Sequence, residues 1–446
     1  MTEPTRRRHA VVGTGHRAEM YVQALLDSHA DVGTPVAWCD TNPVRMNYYD
    51  RLFRSYAPDV ALPSSWPAEE FEEMLSSVRP DAVVVTTPDY RHSDYLVTAL
   101  EHGVDVIVEK PLTTDADRAR AIAAAADRSS AHVTMAFNYR YSPRNTLVRK
   151  LISGGAIGTP TSVHFEWLLD TGHGADYFRR WHAEKDKSGG LIIHKASHHF
   201  DLVNWWVDDV PATVSALGSR RFYGAENARA RGQDPVGATS RDLAPGDPFR
   251  IDLAADDRLR QLYLDAEHVD GYQRDRNVFG EAITIEDTMN VLVGYRGGVA
   301  MTYSLYAYAP WEGYRVAING TEGRIELDVV ERPHRAKDDL EVDPSAAADS
   351  DHTEHIAEVR SRGSQLRLQR HWERAREVPI PVGQGGHGGG DARLLDDIFR
   401  GDGPDPLHHR ASWRDGLRSA AIGIAANESM ATGRTVDIDS LNLPLD

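Results

Sequence analysis

Between residue 9 and about residue 137 the chain is built from short β-branched runs, HAVVGTG, PVAWCD, DAVVVTTP, DVIVEKP and HVTMAFN, separated by the amphipathic stretches HRAEMYVQALLDSH, SDYLVTALEHG and DADRARAIAAAADRS. Strands that are apolar on both faces must be covered on both faces, and helices returning between them achieve this around a parallel sheet. A doubly wound α/β domain is therefore expected over residues 1–140. After NYRYSP the rhythm changes. PRNTLVRKLISGG reads as a helix, TPTSVHFEWLLD follows, and the alternating runs TIEDTMNVLVGY, VAMTYSLYAY, YRVAING and GRIELDVV are joined by turns such as RGG and NGTEG. That pattern predicts an α+β domain with a large mixed or antiparallel sheet over 141–446. Polar composition near 224–278 and 334–375 predicts surface insertions. VGQGGHGGGD at 382–391 reads as a glycine-rich loop, with ARLLDDIFRG and DGLRSAAIGIAANESMATG as closing helices.

The overall size and charge fit this division. The 446 residues allow two hydrophobic cores. Lys and Arg number 50 against 67 Asp and Glu, a formal charge of −17, which repels phosphate backbones and anionic lipid, so nucleic acid and membrane surfaces are not expected partners. The single cysteine, Cys39, excludes an intrachain disulfide and every cysteine-rich zinc motif. No apolar run reaches the roughly 18 residues of a membrane span, mean hydropathy is −0.47, and MTEPTRRRHAVVG lacks the apolar core of a signal peptide. A cytoplasmic location is the expectation.

Gly13-Thr14-Gly15-His16-Arg17-Ala18 follows a strand and opens a helix. The first glycine permits the turn, the second lets backbone approach a diphosphate, and the small third residue lets helix and strand pack; the helix N-terminus then faces the anion. Asp40 ends the second strand, where a carboxylate accepts from a ribose diol and repels a 2′-phosphate, so NAD is expected over NADP. A tight βα turn beside a solvated aspartate is the bland alternative. Thr86, Thr87 and Pro88 lie at the carboxyl end of another strand, the edge on which such sheets bind ligands, as do Glu109 and Lys110. Lys110 there either hydrogen-bonds a substrate hydroxyl and helps pass its proton or is merely a solvated charge.

Taken in order, the GxGxxA turn, Asp40, TTP, EKP and NYRYSP resemble the Gfo/Idh/MocA family of NAD(P)-dependent oxidoreductases. The resemblance implies a Rossmann domain followed by a mixed-sheet domain, sugar, inositol or polyol substrates, a catalytic role for Lys110, and a homodimer or homotetramer. Many members also carry GGxxxDxxxH; here Gly189, Gly190 and His198 fit, but His194 stands where the aspartate is expected. On a continuous helix His194, His198 and Asp201 would share one face, with Lys195 and His199 on the next. An i, i+4 histidine pair is also zinc spacing, but Lys195 opposes a dication, and no metal is expected. His198 is the expected base for hydroxyl oxidation, with Lys110 polarising the same oxygen and His194 as a second acid/base or a substrate contact. The bland alternative for His194 and His199 is a pair of hydrogen-bonded histidines under Trp205 and Trp206.

Two rival functions remain open in the sequence. An NAD-dependent glycosidase, acting by transient oxidation, elimination, hydration and re-reduction, would use the second histidine, and the GGHGGGD stretch with His387 is similar to a loop of such enzymes. A redox-inactive NAD-binding regulator is the third class, opposed by Lys110 and His198. Tyr139, Arg140, Tyr177, Arg180 and Trp181, with Lys195, His199 and His387, are the expected substrate contacts, since sugars stack on aromatic faces and hydrogen-bond at the rim. Arginines among them would suit an acidic sugar.

Overall fold

A computed structural model describes residues 6–337, 360–381, 386–401 and 403–446, without the side chains of 386–388. Among the described residues the first sheet has seven strands, six of them parallel: β1 (Arg7–Val12), β2 (Gly33–Asp40), β3 (Ser64–Pro67), β4 (Ala82–Val85), β5 (Asp105–Val108) and β6 (Val133–Met135), in the order β6-β5-β4-β1-β2-β3. Ala10, Val11, Val12 and all of β4 are buried, as strands covered on both faces must be. The order reverses at β1, so the carboxyl ends of β1 and β4 open the crevice in which doubly wound sheets hold ligands. Helix α1 (Ala18–Leu26) leaves the glycine turn, and α2 (Pro43–Tyr56) is capped by Asn42, whose side chain accepts from Val44 N–H.

Among the described residues the second sheet has nine strands. Its centre is β7 (Pro160–Asp170), parallel to β10 (Ala300–Ala309) and antiparallel to β11 (Glu312–Gly320). β8 (Pro211–Ser219) and β9 (Thr288–Tyr295) extend one side, and β12 (Gly323–Arg332) and β13 (Gly363–Arg370) the other. Burial alternates along β9 and β10: Met289, Val291, Val293, Met301, Tyr303 and Leu305 point inward, and the helices Ser197–Val207 and Trp413–Thr432 lie in the same core. The other face leaves Leu217 and Leu292 exposed.

Three expectations need correction. The 224–278 region is no loose insertion. Leu253, Leu259 and Leu262 are buried, Arg274 is 1% exposed and paired with Asp176 at 2.9 Å, and the segment reaches the first domain, where Asn42 Nδ2 donates to Ala266 O (3.0 Å) and Arg45 pairs with Asp270 (2.5 Å). Its average polarity concealed charges that are neutralised on docking. The described end of the 334–375 region supplies β13, whose Leu366 and Leu368 are buried while its other residues face outward, a pattern suited to the margin of a sheet.

The glycine-rich stretch starts the helix Gly386–Arg400. Leu394, Leu395 and Phe399 anchor that helix in the first domain's core with Tyr21 and Leu25, while Arg400 bonds both oxygens of Asp31 at 2.7 Å. A Cβ at Gly390 would meet Asn138 O at 3.0 Å, so the glycine permits the helix to approach the 138–142 turn. Ala411–Ser412 then pairs antiparallel with β6, so the C-terminal part of the chain returns to the first domain.

Candidate active site

The carboxyl ends of β1, β4 and β5 face a cleft of about 1240 Å³, closed on its other side by the second domain. Gly13 has φ +84°, and a Cβ there would lie 2.7 Å from Thr87 N, so a side chain is excluded both by conformation and by the neighbouring strand end. Gly15, His16 and Arg17 line the cleft, and Ala18, fully buried, packs the helix onto the strand. Arg17 pairs with Glu109 (2.5 Å), which also accepts from Tyr21 OH (2.7 Å). Burial alone would lower the Arg17 pKa, but Glu109 raises it, so this guanidinium stays charged. Asp40 lines the cleft. Its Oδ2 takes Thr14 N–H (2.6 Å) and the Thr14 hydroxyl (3.0 Å), and its Oδ1 takes Asn42 N–H (2.8 Å) and Arg45 (3.3 Å).

This half of the cleft fits a dinucleotide. The glycine turn is cradled against β4, a carboxylate stands at the end of β2, and Thr87 Oγ1, buried beside the turn, has no hydrogen-bond partner among the described residues. Thr86 Oγ1 donates to Gly13 O (2.6 Å), and Pro88 completes the wall. Sequence reasoning missed Tyr263, whose hydroxyl accepts from His16 N–H (3.0 Å), placing the 224–278 segment over the turn. No short-range pattern announces a contact 247 residues apart.

Chemistry concentrates where β5 ends. Lys110 Nζ lies 3.2 Å from His194 Nε2 and donates to His194 O (3.2 Å); His194 Nδ1 is 2.6 Å from Asp89 Oδ2. Asp89 was not singled out in the sequence, although it directly follows Thr86-Thr87-Pro88. It supplies, from the first domain, the carboxylate missing at position 194. Burial brings the Lys110 pKa down to about 8, against the pull of the Asp89 and Glu109 carboxylates. Burial and the Lys110 ammonium hold His194 well below the ordinary imidazole range, so the ring is neutral: Nδ1–H donates to Asp89 and Nε2 accepts from Lys110.

The helix expected to carry 194, 198 and 201 on one face is broken: Leu191–His194 and Ser197–Val207 are separate, with Ala196 N–H bonding back to Leu191 O. His194, Lys195 and His198 all line the cleft, the His198 ring stacked 4.2 Å from that of Tyr139. Tyr177, Arg180 and Trp181 line it as well. His182, 3% exposed, stacks on Trp181 (3.7 Å) and meets His194 edge to face (4.1 Å); its Nδ1 has no hydrogen-bond partner among the described residues, and burial lowers its pKa strongly.

Other expected contacts are elsewhere. Asp201 turns away from the histidines and binds both Nε (2.8 Å) and Nη2 (2.6 Å) of Arg140, which also reaches Asp415 (3.0 Å). Arg140 is thus a buried structural cation and no substrate contact; a guanidinium 2% exposed needs carboxylates around it. His199 is fully buried, stacked on Trp167 (4.1 Å) and bonded to Tyr303 OH (2.7 Å), so it faces the sheet instead of the cleft. The His387 side chain lies outside the described residues.

A doubly wound domain with a glycine turn, an acid at the end of β2 and a lysine–histidine pair across the crevice defines a nucleotide-dependent oxidoreductase. Comparison with known proteins agrees. Residues 7–137 match the oxidoreductase family's NAD-binding Rossmann fold and residues 149–438 its C-terminal alpha/beta domain, and the chain belongs to the Gfo/Idh/MocA oxidoreductase family. NAD is its cofactor. The chain is 33% identical to the Bacillus subtilis oxidoreductase YteT over 428 residues, 94% of each protein. It is 26% identical over 225 residues to the levoglucosan dehydrogenase of Pseudarthrobacter phenanthrenivorans, covering 50% of this chain and 55% of that one. Among solved structures, a levoglucosan dehydrogenase in complex with NADH and levoglucosan superposes with a TM-score of 0.64 at 19% identity, over 97% of this chain and 100% of that one, which speaks to the fold.

Proposed function

We propose that this protein oxidises a secondary hydroxyl of a sugar, inositol or related polyol, in a reversible reaction. The observation that carries the proposal is the chain Asp89–His194–Lys110, formed from both domains beside the glycine turn. Relatives of sugar-dehydrogenase and inositol-dehydrogenase type support the substrate class. Bound NAD supplies the hydride acceptor. Lys110, with a pKa of about 8, is divided near neutral pH between amine and ammonium, so it can take the hydroxyl proton in oxidation and return it in reduction. His194, 3.2 Å away, stays neutral and accepts a hydrogen bond from Lys110 at Nε2, which orients the lysine toward the hydroxyl, while Asp89 fixes the ring through Nδ1. His198, expected as the base, lines the wall against Tyr139; His194 is the imidazole that reaches the lysine. His182, with its unpartnered Nδ1, and Trp181 give a polar edge and an aromatic face for the sugar.

The test is to purify the protein, identify any co-purifying nucleotide, and supply sugars, inositols and nitrophenyl glycosides. NADH formation with polyols, lost roughly 100-fold or more in Lys110→Met, supports the proposal. Glycoside cleavage without NADH replaces it with redox-neutral glycoside cleavage, and bound NAD with no turnover of either set replaces it with a regulator. The exposed Leu217 and Leu292 on the outer face of the second sheet support a homo-oligomer joined there.

A further inference from the structure

We propose that Lys195 is the carboxylate-binding residue of the substrate pocket, so that the polyol oxidised here is a sugar acid, such as an aldonate or uronate. The inference rests on the dehydrogenase proposal above and names its substrate class. Lys195 sits in the break between Leu191–His194 and Ser197–Val207, next in sequence to His194, and lines the same cleft as Lys110. It is 5% exposed.

An ammonium has three donors, and one partner is present: Nζ donates to Tyr139 OH at 3.1 Å. Two aromatic faces lie beneath it, Trp167 at 4.8 Å and Tyr139 at 5.5 Å. Among the described residues no carboxylate is within ion-pair distance. The acids whose fields reach it have hydrogen-bond and ion-pair partners of their own. Glu312 is bonded to His173 (2.6 Å) and close to Arg332 (3.5 Å), and Glu331 is bonded to Arg144 (2.6 Å). Lys185 pairs with Glu286 and Lys187 with Glu184, and Lys110, in the same cleft, is held by the ring and carbonyl of His194.

A buried cation without an anion is costly, and aromatic faces repay part of that cost. The arrangement is what a site needs if its anion arrives with the ligand. Burial lowers the Lys195 pKa; a bound carboxylate would hold the group protonated. A neutral polyol would leave the charge uncompensated, so the site discriminates by charge. The cleft already holds the lysine–histidine pair for the hydroxyl proton, and Lys195 places an anchor for a second functional group beside it.

The experiment compares matched pairs: D-glucuronate with D-glucose, D-galacturonate with D-galactose, and D-gluconate with D-glucitol, following NADH at fixed pH and ionic strength. The expected result is a 10- to 100-fold higher kcat/KM for the acid of a pair, with the acid-to-neutral ratio falling by about that factor in Lys195→Met and largely kept in Lys195→Arg. Equal or better use of the neutral sugars overturns the subsite while leaving the dehydrogenase standing, as does an equal loss on both members in Lys195→Met. If no pair yields NADH, the dehydrogenase proposal fails, and the subsite is decided by binding. Quenching of tryptophan fluorescence by D-gluconate but not D-glucitol, lost in Lys195→Met, upholds it; equal responses end it.

Discussion

Replacing Asp89 by asparagine keeps the shape of the site and removes a titratable acid whose pKa burial pushes well above the ordinary carboxylate range, against the pull of the Lys110 ammonium. Asp89 is 2% exposed and its Oδ2 lies 2.6 Å from His194 Nδ1, a short and buried hydrogen bond between an acid and an imidazole. Such bonds contribute about 1.5–3 kcal/mol, and each 1.36 kcal/mol is a factor of ten. Because this bond sets the orientation in which the neutral His194 holds Lys110, Asp89→Asn is expected to lower kcat roughly 10- to 150-fold and to leave NAD binding intact. The pH dependence adds a second, opposing signature. Burial sets Lys110 at about 8, with the Asp89 carboxylate working to raise it. Oxidation needs the amine, so in the wild type kcat rises with pH through about 8. Loss of the carboxylate lowers the Lys110 pKa further, and the rising limb in Asp89→Asn moves to lower pH, by about one unit. Steady-state NADH formation from pH 6 to 10, with the reverse reaction as control, measures both. An unshifted limb, or a kcat within threefold of wild type, refutes the role of Asp89 in orienting Lys110 through His194.

Arg140→Met strips Asp201, 1% exposed, of its partner and is expected to cost about 3–5 kcal/mol in urea unfolding, with KM for the polyol unchanged in the folded fraction. A raised KM without destabilisation would return Arg140 to the substrate contacts. Tyr263→Phe removes the hydroxyl on His16 N–H and is expected to change NADH dissociation by about three- to tenfold, read by stopped-flow displacement with excess NAD; an unaltered rate means the 224–278 segment does not govern nucleotide exchange. Leu292→Arg, on the exposed face of β9, is expected to shift the protein to a monomer by light scattering, and an unchanged mass places the self-association elsewhere.

The parts of the site visible in the sequence are those in which backbone geometry is the constraint. Gly13 is required by a positive φ and a strand end 2.7 Å from its missing Cβ. Asp40 and Lys110 close strands whose buried, β-branched residues define the sheet. Such features are local, so a dozen residues suffice to express them, and the second domain's alternating strands were legible for the same reason.

Side-chain partners were not legible, because a partner is chosen by packing between distant segments. His194, His198 and His199 are near neighbours in the sequence, yet one meets Asp89 and Lys110, the next stacks on Tyr139, and the third is sealed against Trp167 and Tyr303. The break at Lys195–Ala196 separates His194 from the helix that carries His198 and Asp201, with which periodicity predicts it to share a face. Asp201 was drawn to Arg140, and a polar stretch became the cover of the glycine turn once its charges found partners across the domains. The backbone turns and strand ends follow from local sequence, since they obey steric rules a few residues long. Which polar groups face each other depends on the packed fold, since the cost of burying a charge is settled by whatever the rest of the chain brings beside it.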